Sequence, residues 1–458
     1  MSVADSAFLA MCSAVPGIDW PPLSAGFPAS VLALAQQLEQ TQWLAPSELA
    51  ARQRRQLRAL LTHAAQHSPH FGDRLRQAGC GVAALCEPGG LAALAPLSRR
   101  ALQADGARVA ATALPSGHGP TGQVSTSGSS GTPVSLTRSA VNQMFWLAFT
   151  LREHLWQRRD FSAPLAVTRA NLPGNAAVAQ PDWGAPVATF FATGPAYALP
   201  INRAVTEQLD WLLGINPGYL LTYPTNLAAL LDEIERRGGA LPRLRQIRTI
   251  GETLAPALRA RTRAVLGVGI ADCYSSQELG VIALQCPDSE LYHLMAEGYI
   301  TEILREDGSP CADGEVGRLV LTDLHNFATP LVRYDIGDYA CAGPACPCGR
   351  GLPTLRHIVG RERNMVSIGG RRHWPLVGFH RFRDVAPVIQ YQLVQRSAEH
   401  IDVNLVCATA PSEAQQKQLG DIIRQALGHP FQLGFHLFAD RIPMPASGKF
   451  EEFVNLTV

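Results

Sequence analysis

Nine consecutive residues, STSGSSGTP from Ser125 to Pro133, carry no aliphatic or aromatic side chain apart from the proline ring. Gly128 and Gly131 permit tight turns that aim backbone N–H groups at an anion. Ser127, Ser129, Ser130 and Thr132 add hydroxyl donors. Alone, the stretch reads equally as a loop that holds phosphate or as a Gly/Ser linker. Two other chemistries fail on spacing. A Walker loop needs G-x-x-x-x-G-K-[ST], and no lysine is present here. At the later SGK, 447–449, Pro443 stands where the first glycine should be. A nucleophile elbow needs G-x-S-x-G, and Gly128 and Gly131 are one residue too close.

Further along, DCYSSQELG (272–280) places Glu278 after a Tyr-Ser-Ser turn, and VRYDIGDYA (332–340) sets Asp335 and Asp338 on a glycine turn. Each alone is an ordinary solvated acid or a hairpin. Cys286 and His293 flank PDSELY, and CPCG puts Cys346 and Cys348 on a tight turn. A Cys/His pair plus C-x-C can supply a tetrahedral Cys3His zinc site, with Cys341 as a competing ligand; buried free thiols are the alternative.

Of 39 basic residues only Lys417 and Lys449 are lysines; the other 37 are arginines. A lysine kept against such a bias marks a place where a compact point charge serves and a planar fork does not. Lys417 falls in a helix-like segment and reads as a surface charge. Lys449 falls in the turn-like PMPASGKFEEF.

These residues need a scaffold of two or three domains, since 458 residues exceed one ordinary core. Hydrophobic content of 47% and charged content of 17% fit a soluble globular chain. A net charge of +1 gives no field that favours nucleic acid or an anionic membrane. The N-terminus lacks a basic n-region, and no apolar run reaches the roughly 18–20 residues of a membrane span. Ten cysteines in such a chain point to reduced thiols or metal ligands, and the expected location is the cytoplasm.

Leu57, Leu60, Leu61 and Ala64 recur at helical spacing, with Ser68-Pro69 as an interruption. From about residue 140, helix-like and strand-like runs alternate, as in an α/β core with partly parallel strands. Residues 299–341 read instead as antiparallel strands. After Gly360, a β-β-α-β order predicts a small α+β domain. The expected fold class is α/β: a large N-terminal domain, 1–359, with α/β and β-rich subdomains, and a small mobile C-terminal domain, 360–458.

The order of the motifs carries more than any one of them. The Ser/Thr/Gly loop, Gly251-Glu252, Tyr274-x-x-x-Glu278, RYDIGD, Gly360-Arg361 and the terminal SGK occur in sequence over roughly residues 55–455. This resembles the adenylate-forming superfamily of acyl-CoA synthetases and adenylation domains. STSGSSGTP, YSSQE, ALQCP, YHL, LVRYDIGDYA, CPCGR, GRERN and SGKFEEF resemble its phenylacetate–CoA ligase branch, the CapK-type proteins.

The resemblance implies attack of a carboxylate on the α-phosphorus of ATP to give acyl-AMP and pyrophosphate. A thiol, usually of coenzyme A, then takes the acyl group; an amine or a carrier-protein phosphopantetheine is the alternative acceptor. It implies that Ser127–Thr132 hold the β- and γ-phosphates, that Glu278 helps hold Mg2+ and that Asp335 accepts the ribose hydroxyls. Gly251, Glu252 and Thr253, with Tyr274 and Ser275, would bracket the adenine and α-phosphate. Arg361 would contact the ribose at the hinge. Lys449 would bridge the carboxylate and the nucleotide during adenylation only, because the C-terminal domain of this superfamily rotates between half-reactions. The loop SIGGRRHW (367–374) would then line the path of the thiol. Some relatives bind zinc in the region of Cys286, His293, Cys346 and Cys348, which implies a structural Zn2+. The sequence departs from many relatives at Val134, where a lysine follows the loop proline, at Ser275, the usual glycine, and at Arg363-Asn364, where an aspartate is common.

Phe145, Trp146 and Phe149 on a helix, with Phe190, Phe191 and Tyr223, are candidates to line a pocket, although aromatics at helical spacing are more often core. With the branch resemblance they imply a small aryl or arylalkyl carboxylic acid, a medium-chain or polyketide-like acid being the alternative. An acyl carrier protein and a second copy of the chain stay open as partners; nucleic acid and membrane do not.

Overall fold

The computed structural model describes residues 11–14, 16–18, 22–125, 134–170, 172, 176–361, 364–373, 382–439, 441–443 and 450–457. Ser127, Gly128, Ser129, Ser130, Gly131, Thr132 and Lys449 lie outside the described residues. The chain divides into two compact units, Met1–Val359 and Gly360–Val458.

In the first unit the periodicity at Leu57, Leu60, Leu61 and Ala64 forms a helix, Pro46–His67, that buries all four residues. Each leucine contributes roughly 1.5–3 kcal/mol by leaving water. Ser68 ends this helix, and its hydroxyl accepts from Phe71 N to cap the next, Pro69–Ala78.

The described residues of this unit build a 13-stranded sheet that changes character along its width. Leu165–Arg169, Tyr219–Thr222 and Gln246–Ile250 are parallel neighbours, as expected for strands that alternate with helices. Gly269–Ser276 pairs parallel with Gln246–Ile250 on one side and antiparallel with Gly280–Gln285 on the other. It is therefore the strand at which the sheet switches. Beyond it, Tyr299–Leu304, Val316–Asp323 and Tyr334–Ala342 pair antiparallel, as their Gly/Asp turns predict. A two-residue strand, Leu97–Ser98, adds in parallel to Tyr334–Asp335.

Thr121–Ser125 and Ser135–Ser139 pair antiparallel on either side of residues 126–133. The helix Ala140–Trp156 follows at once. Its Glu153, 2% exposed, receives Arg159 Nη2 at 3.0 Å and Arg248 Nε at 2.7 Å. Arg248 lies on the strand that runs into Gly251-Glu252. This buried trio ties the helix after the loop to the strand before Glu252. Loss of the carboxylate would leave two arginines uncompensated in the interior.

The second unit has its own four-stranded sheet, ordered Gln432–Phe438, His400–Cys407, Val388–Gln395 and Phe453–Asn455. The helix Glu413–Leu427 buries Leu419, Ile423 and Leu427 in the same core as Val403 and Leu405. This is the β-β-α-β order read from the sequence, closed by one more short strand. Among the described residues, no helix is long and apolar enough to cross a membrane.

Candidate active site

Gly251, Glu252 and Thr253 follow the carboxyl end of the parallel strand Gln246–Ile250, and Tyr223 follows that of Tyr219–Thr222. Loops at this edge of a parallel sheet form its natural ligand crevice. The Glu252 carboxylate is already engaged there. It accepts from Thr225 N at 3.0 Å and Thr225 Oγ1 at 2.8 Å, and so caps the helix Pro224–Arg237. Burial raises the nearby Tyr223 phenol above its ordinary pKa.

Tyr274 and Ser275 end the switch strand, and Glu278 sits in the turn that reverses the chain into Gly280–Gln285. The turn is held from several sides. Ser276 Oγ accepts from Leu279 N at 3.1 Å, Arg138 Nη2 donates to Gln277 O at 2.5 Å, and Tyr299 Oη donates to Leu279 O. Glu278 is 4% exposed and forms an ion pair with Arg99. The ring of Tyr334 is fully buried beside this pair. Burial raises its phenol, Glu278 and Asp338 push the same way, and Arg99 opposes them.

Tyr274 Oη donates to Asp338 Oδ2 at 2.5 Å. Asp335 does not share this contact. Its Oδ1 accepts from Gly337 N at 3.0 Å, and Arg318 Nη1 lies 3.2 Å from its Oδ2. Burial raises the Asp335 carboxyl above the usual carboxylate range, against the pull of the Gly337 N–H and Arg318. Of the two acids in RYDIGD, the one brought to Tyr274 is thus Asp338, whereas the resemblance points to Asp335. The two differ in register: Val320 faces Asp335 across the ladder, while Asp338 lies three residues on, past an irregularity between Arg318 and Val320.

Val134, where many relatives have a lysine, is 1% exposed and belongs to the main apolar core. In the second unit, Arg361 N donates to Asn364 Oδ1 at 3.0 Å, and Asn364 Nδ2 donates to Phe453 O at 2.6 Å. Asn364 thus does local structural work at the position where an aspartate is common. Gly369 and Gly370 have φ of +56° and +77° and turn the hairpin Val366–Ile368/Arg371–His373. Two successive positive φ values are those of a type I′ turn.

The aromatic candidates separate. Phe145, Trp146 and Phe149 line a small cleft with Arg138, Leu279, Tyr299 and His325, and Phe145 stacks on His325 with centroids 3.8 Å apart. Phe190 and Phe191, each 2% exposed, are part of the main core, as is Phe149 at 1%.

Cys286, His293, Cys346 and Cys348 form a second centre. Their ligand atoms all lie within 4.8 Å of one another, with Cys346 Sγ 3.7 Å from Cys286 Sγ and Cys348 Sγ 3.3 Å from His293 Nε2. Burial, helped by Arg350, holds His293 down to about 4, so its imidazole is neutral at pH 7. Cys341 is outside this group; its thiol faces Ala342 O at 3.6 Å. Three thiols and a neutral imidazole at this spacing suit Zn2+, and a fourfold protein set leaves no position for substrate. The six-residue strand Gly280–Gln285 separates this centre from the Glu278 turn, about 20 Å at strand rise. Beside it, Arg350 stacks on Trp156 and Trp43, 4.5 and 4.9 Å from their centroids. Gly351 N donates to Gln42 O at 2.8 Å. A Cβ at Gly351 would come within 1.8 Å of Leu44 O, so only glycine allows this approach.

Residues 378–455 match the CapK C-terminal domain. The sequence is 28% identical over 213 residues to the phenylacetate–coenzyme A ligase of Thermus thermophilus, covering 44% of this chain and 48% of that protein. It is 27% identical over 218 residues to the phenylacetate–coenzyme A ligase of Escherichia coli, covering 45% and 49%. The matches thus span about half the length of these relatives. Among solved structures, a 2-hydroxyisobutyryl-CoA ligase in the postadenylation state superposes with a TM-score of 0.68 at 16% identity, over 91% of each chain. The same enzyme in the thioesterification state gives 0.59 at 17% identity, again over 91% of each. The chain is therefore similar in sequence to phenylacetate–CoA ligases, matches the CapK C-terminal domain over residues 378–455 and has the fold of the adenylate-forming CoA ligases.

Proposed function

We propose that this protein activates a small carboxylic acid with ATP and passes the acyl group to the thiol of coenzyme A. In the first step a carboxylate oxygen bonds to the α-phosphorus of ATP, and the bond to pyrophosphate breaks. In the second, the thiol sulfur bonds to the acyl carbon, AMP leaves, and the thiol proton goes to solvent. The observation that carries this reading is the convergence of Tyr274, Glu278 and Asp338 around Tyr334, at the strand where the sheet switches from parallel to antiparallel.

Each residue takes a role suited to its surroundings. Asp338, already an acceptor for Tyr274, is the better placed acid for the ribose hydroxyls, and Asp335 supports the turn beside it. Gly251, Thr253 and Ser275 offer backbone and hydroxyl groups to the adenine and α-phosphate. Glu252 acts by fixing the start of the neighbouring helix. Glu278 is a buried hard-oxygen donor and fits Mg2+, which when bound would neutralise phosphate oxygens. Ser127–Thr132 would contact the pyrophosphate end through N–H and hydroxyl donors, with no help from Val134. Lys449 would neutralise the approach of the two anions in the first step. The roles of Arg361 at the ribose and of the Gly369-Gly370 turn on the pantetheine path rest on the resemblance alone. Cys286, His293, Cys346 and Cys348 would hold a structural Zn2+. The similarity to phenylacetate–CoA ligases favours a small aryl acid.

A screen of carboxylic acids for substrate-dependent exchange of labelled pyrophosphate into ATP tests the first step. Product analysis with coenzyme A, then amines, then a phosphopantetheinylated carrier protein, tests the second. Turnover that ignores coenzyme A but responds to an amine or a carrier would count against the proposed acceptor.

A further inference from the structure

We infer that Arg99 is a stand-in cation for Glu278, exchanged for the divalent metal when nucleotide binds. The inference rests on the reading of Glu278 as a ligand of the nucleotide's metal. The Glu278 side chain is only 5% exposed, and a carboxylate so enclosed costs several kcal/mol unless a cation stands against it. Arg99 is the cation that pairs with it. A guanidinium and a divalent ion on the same enclosed carboxylate would repel one another at a few ångströms. One must therefore give way to the other.

The surrounding contacts allow Arg99 to be the group that moves. Its side chain is 24% exposed, so it has a path to water that Glu278 lacks. Its backbone stays fixed without the ion pair. Leu97 N donates to Arg333 O at 2.7 Å, in register with the parallel pairing of Leu97–Ser98 on Tyr334–Asp335. Arg333 also donates to Leu94 O and holds Glu302 from Nε at 2.9 Å. Arg74 Nη2 donates to Ala95 O at 2.6 Å, and Ser98 Oγ caps the helix Arg99–Val109 by accepting from Ala101 N at 3.1 Å. With this segment anchored at so many other points, the Arg99–Glu278 pair is not needed to attach it. A change of the Arg99 rotamer breaks the pair together with the pull of Arg99 on the Tyr334 phenol, and the opened carboxylate is then presented to the metal.

Binding of Mn2+ with α,β-methylene-ATP, followed by electron paramagnetic resonance on the full chain, tests this without turnover. Arg99→Gln should lower the Mn2+ concentration at half-saturation about tenfold, the factor that 1.4 kcal/mol of relieved competition gives. Arg99→Lys, which keeps the charge but loses the fork, should lower it less, and it decides the matter if the glutamine variant does not fold. An unchanged or raised midpoint in the folded variants would overturn the inference and make Arg99 a phosphate ligand or a structural support. Glu278→Gln tests the underlying reading separately: it should raise the midpoint in both backgrounds. If it does not, Glu278 is not the metal ligand.

Discussion

Tyr274 Oη and Asp338 Oδ2 are 2.5 Å apart, which joins two motifs separated by 64 residues. Asp335, three residues before Asp338, is occupied by Gly337 N and Arg318. If the acid held by Tyr274 is the one that takes the ribose, Asp338→Ala should cut pyrophosphate exchange by about 10²-fold, in the range seen when one positioned polar partner is removed from a reacting site. It should also raise the KM for ATP. Asp335→Ala should cost less than Asp338→Ala and act mainly on thermal stability. Steady-state kinetics of the two variants, side by side, decide it; the reverse order of severity would return the ribose role to Asp335.

The fold was legible where side-chain periodicity and turn chemistry act locally. Leu57, Leu60 and Leu61 announce their helix, Ser68-Pro69 its end, and Gly/Asp turns the antiparallel strands. Less legible were choices made by register and by partners distant in sequence. RYDIGD offers two acids, and the contact with Tyr274 that distinguishes them depends on pairing across the sheet. Glu252 looked like a nucleotide contact, and its helix-capping role depends on Thr225, 27 residues earlier. Arg99 was invisible as a site residue, because a lone arginine after a short strand carries no motif; only the fold sets it against Glu278, 179 residues away.

The cysteine–histidine centre should hold one zinc per chain, measured by metal analysis of the purified protein. Cys346→Ser should lose the metal and lower the melting temperature, because binding at such a site is part of folding free energy. With about 20 Å of strand between the centre and Glu278, the zinc should not set the chemical step. Any Cys346→Ser protein that remains folded should keep a KM for ATP within about threefold of the parent, since effects at distant sites are nearly independent. A folded parent protein that never carries metal would remove the zinc assignment.

The buried trio around Glu153 gives a stability prediction. The two arginines hold its carboxyl down to about 2, although burial alone would raise it. Glu153→Gln leaves Arg159 and Arg248 against a neutral amide and should destabilise the chain by about 3–5 kcal/mol. Urea unfolding at pH 7 measures this. The sign follows from linkage: a lowered folded pKa adds stability above the unfolded value of about 4.3, and this is lost as pH falls towards 2. The parent and the variant should therefore converge in acid. A constant gap from pH 7 to pH 3 would show that packing, not charge, sets the effect.

His325 predicts a second pH dependence. Its ring stacks on Phe145, and burial, helped slightly by His118, holds its imidazole down to about 3. The unfolded chain takes up a proton near pH 6.5, whereas the folded chain refuses it until about 3. Stability should therefore fall as pH drops below 6.5, by at most about 1.4 kcal/mol per unit from this residue. His325→Phe keeps an aromatic ring against Phe145 and removes the proton. Its urea midpoint should fall less than the parent's between pH 7 and pH 4.5. Equal falls would mean that the folded chain does not exclude the proton from His325 and that this residue adds nothing to the acid response.

If Lys449 acts in adenylation only, its loss should separate the two half-reactions. It is one of two lysines against 37 arginines and closes the sequence Ser447-Gly448-Lys449. Adenylation brings a carboxylate against a polyphosphate, so it gains from a fixed cation between them. Thioester formation starts from acyl-AMP, where that repulsion has gone. Lys449→Ala should therefore abolish pyrophosphate exchange, by roughly 10²–10³-fold. It should still convert synthetic acyl-AMP and coenzyme A to the thioester within about threefold of the parent rate, as expected when an interaction specific to one transition state is lost. Lys449→Arg should restore exchange only in part, since a planar fork does not replace a compact charge between two anions. If both half-reactions fall together, Lys449 is not specific to the first step. If neither falls, the charge that the first step needs comes from elsewhere.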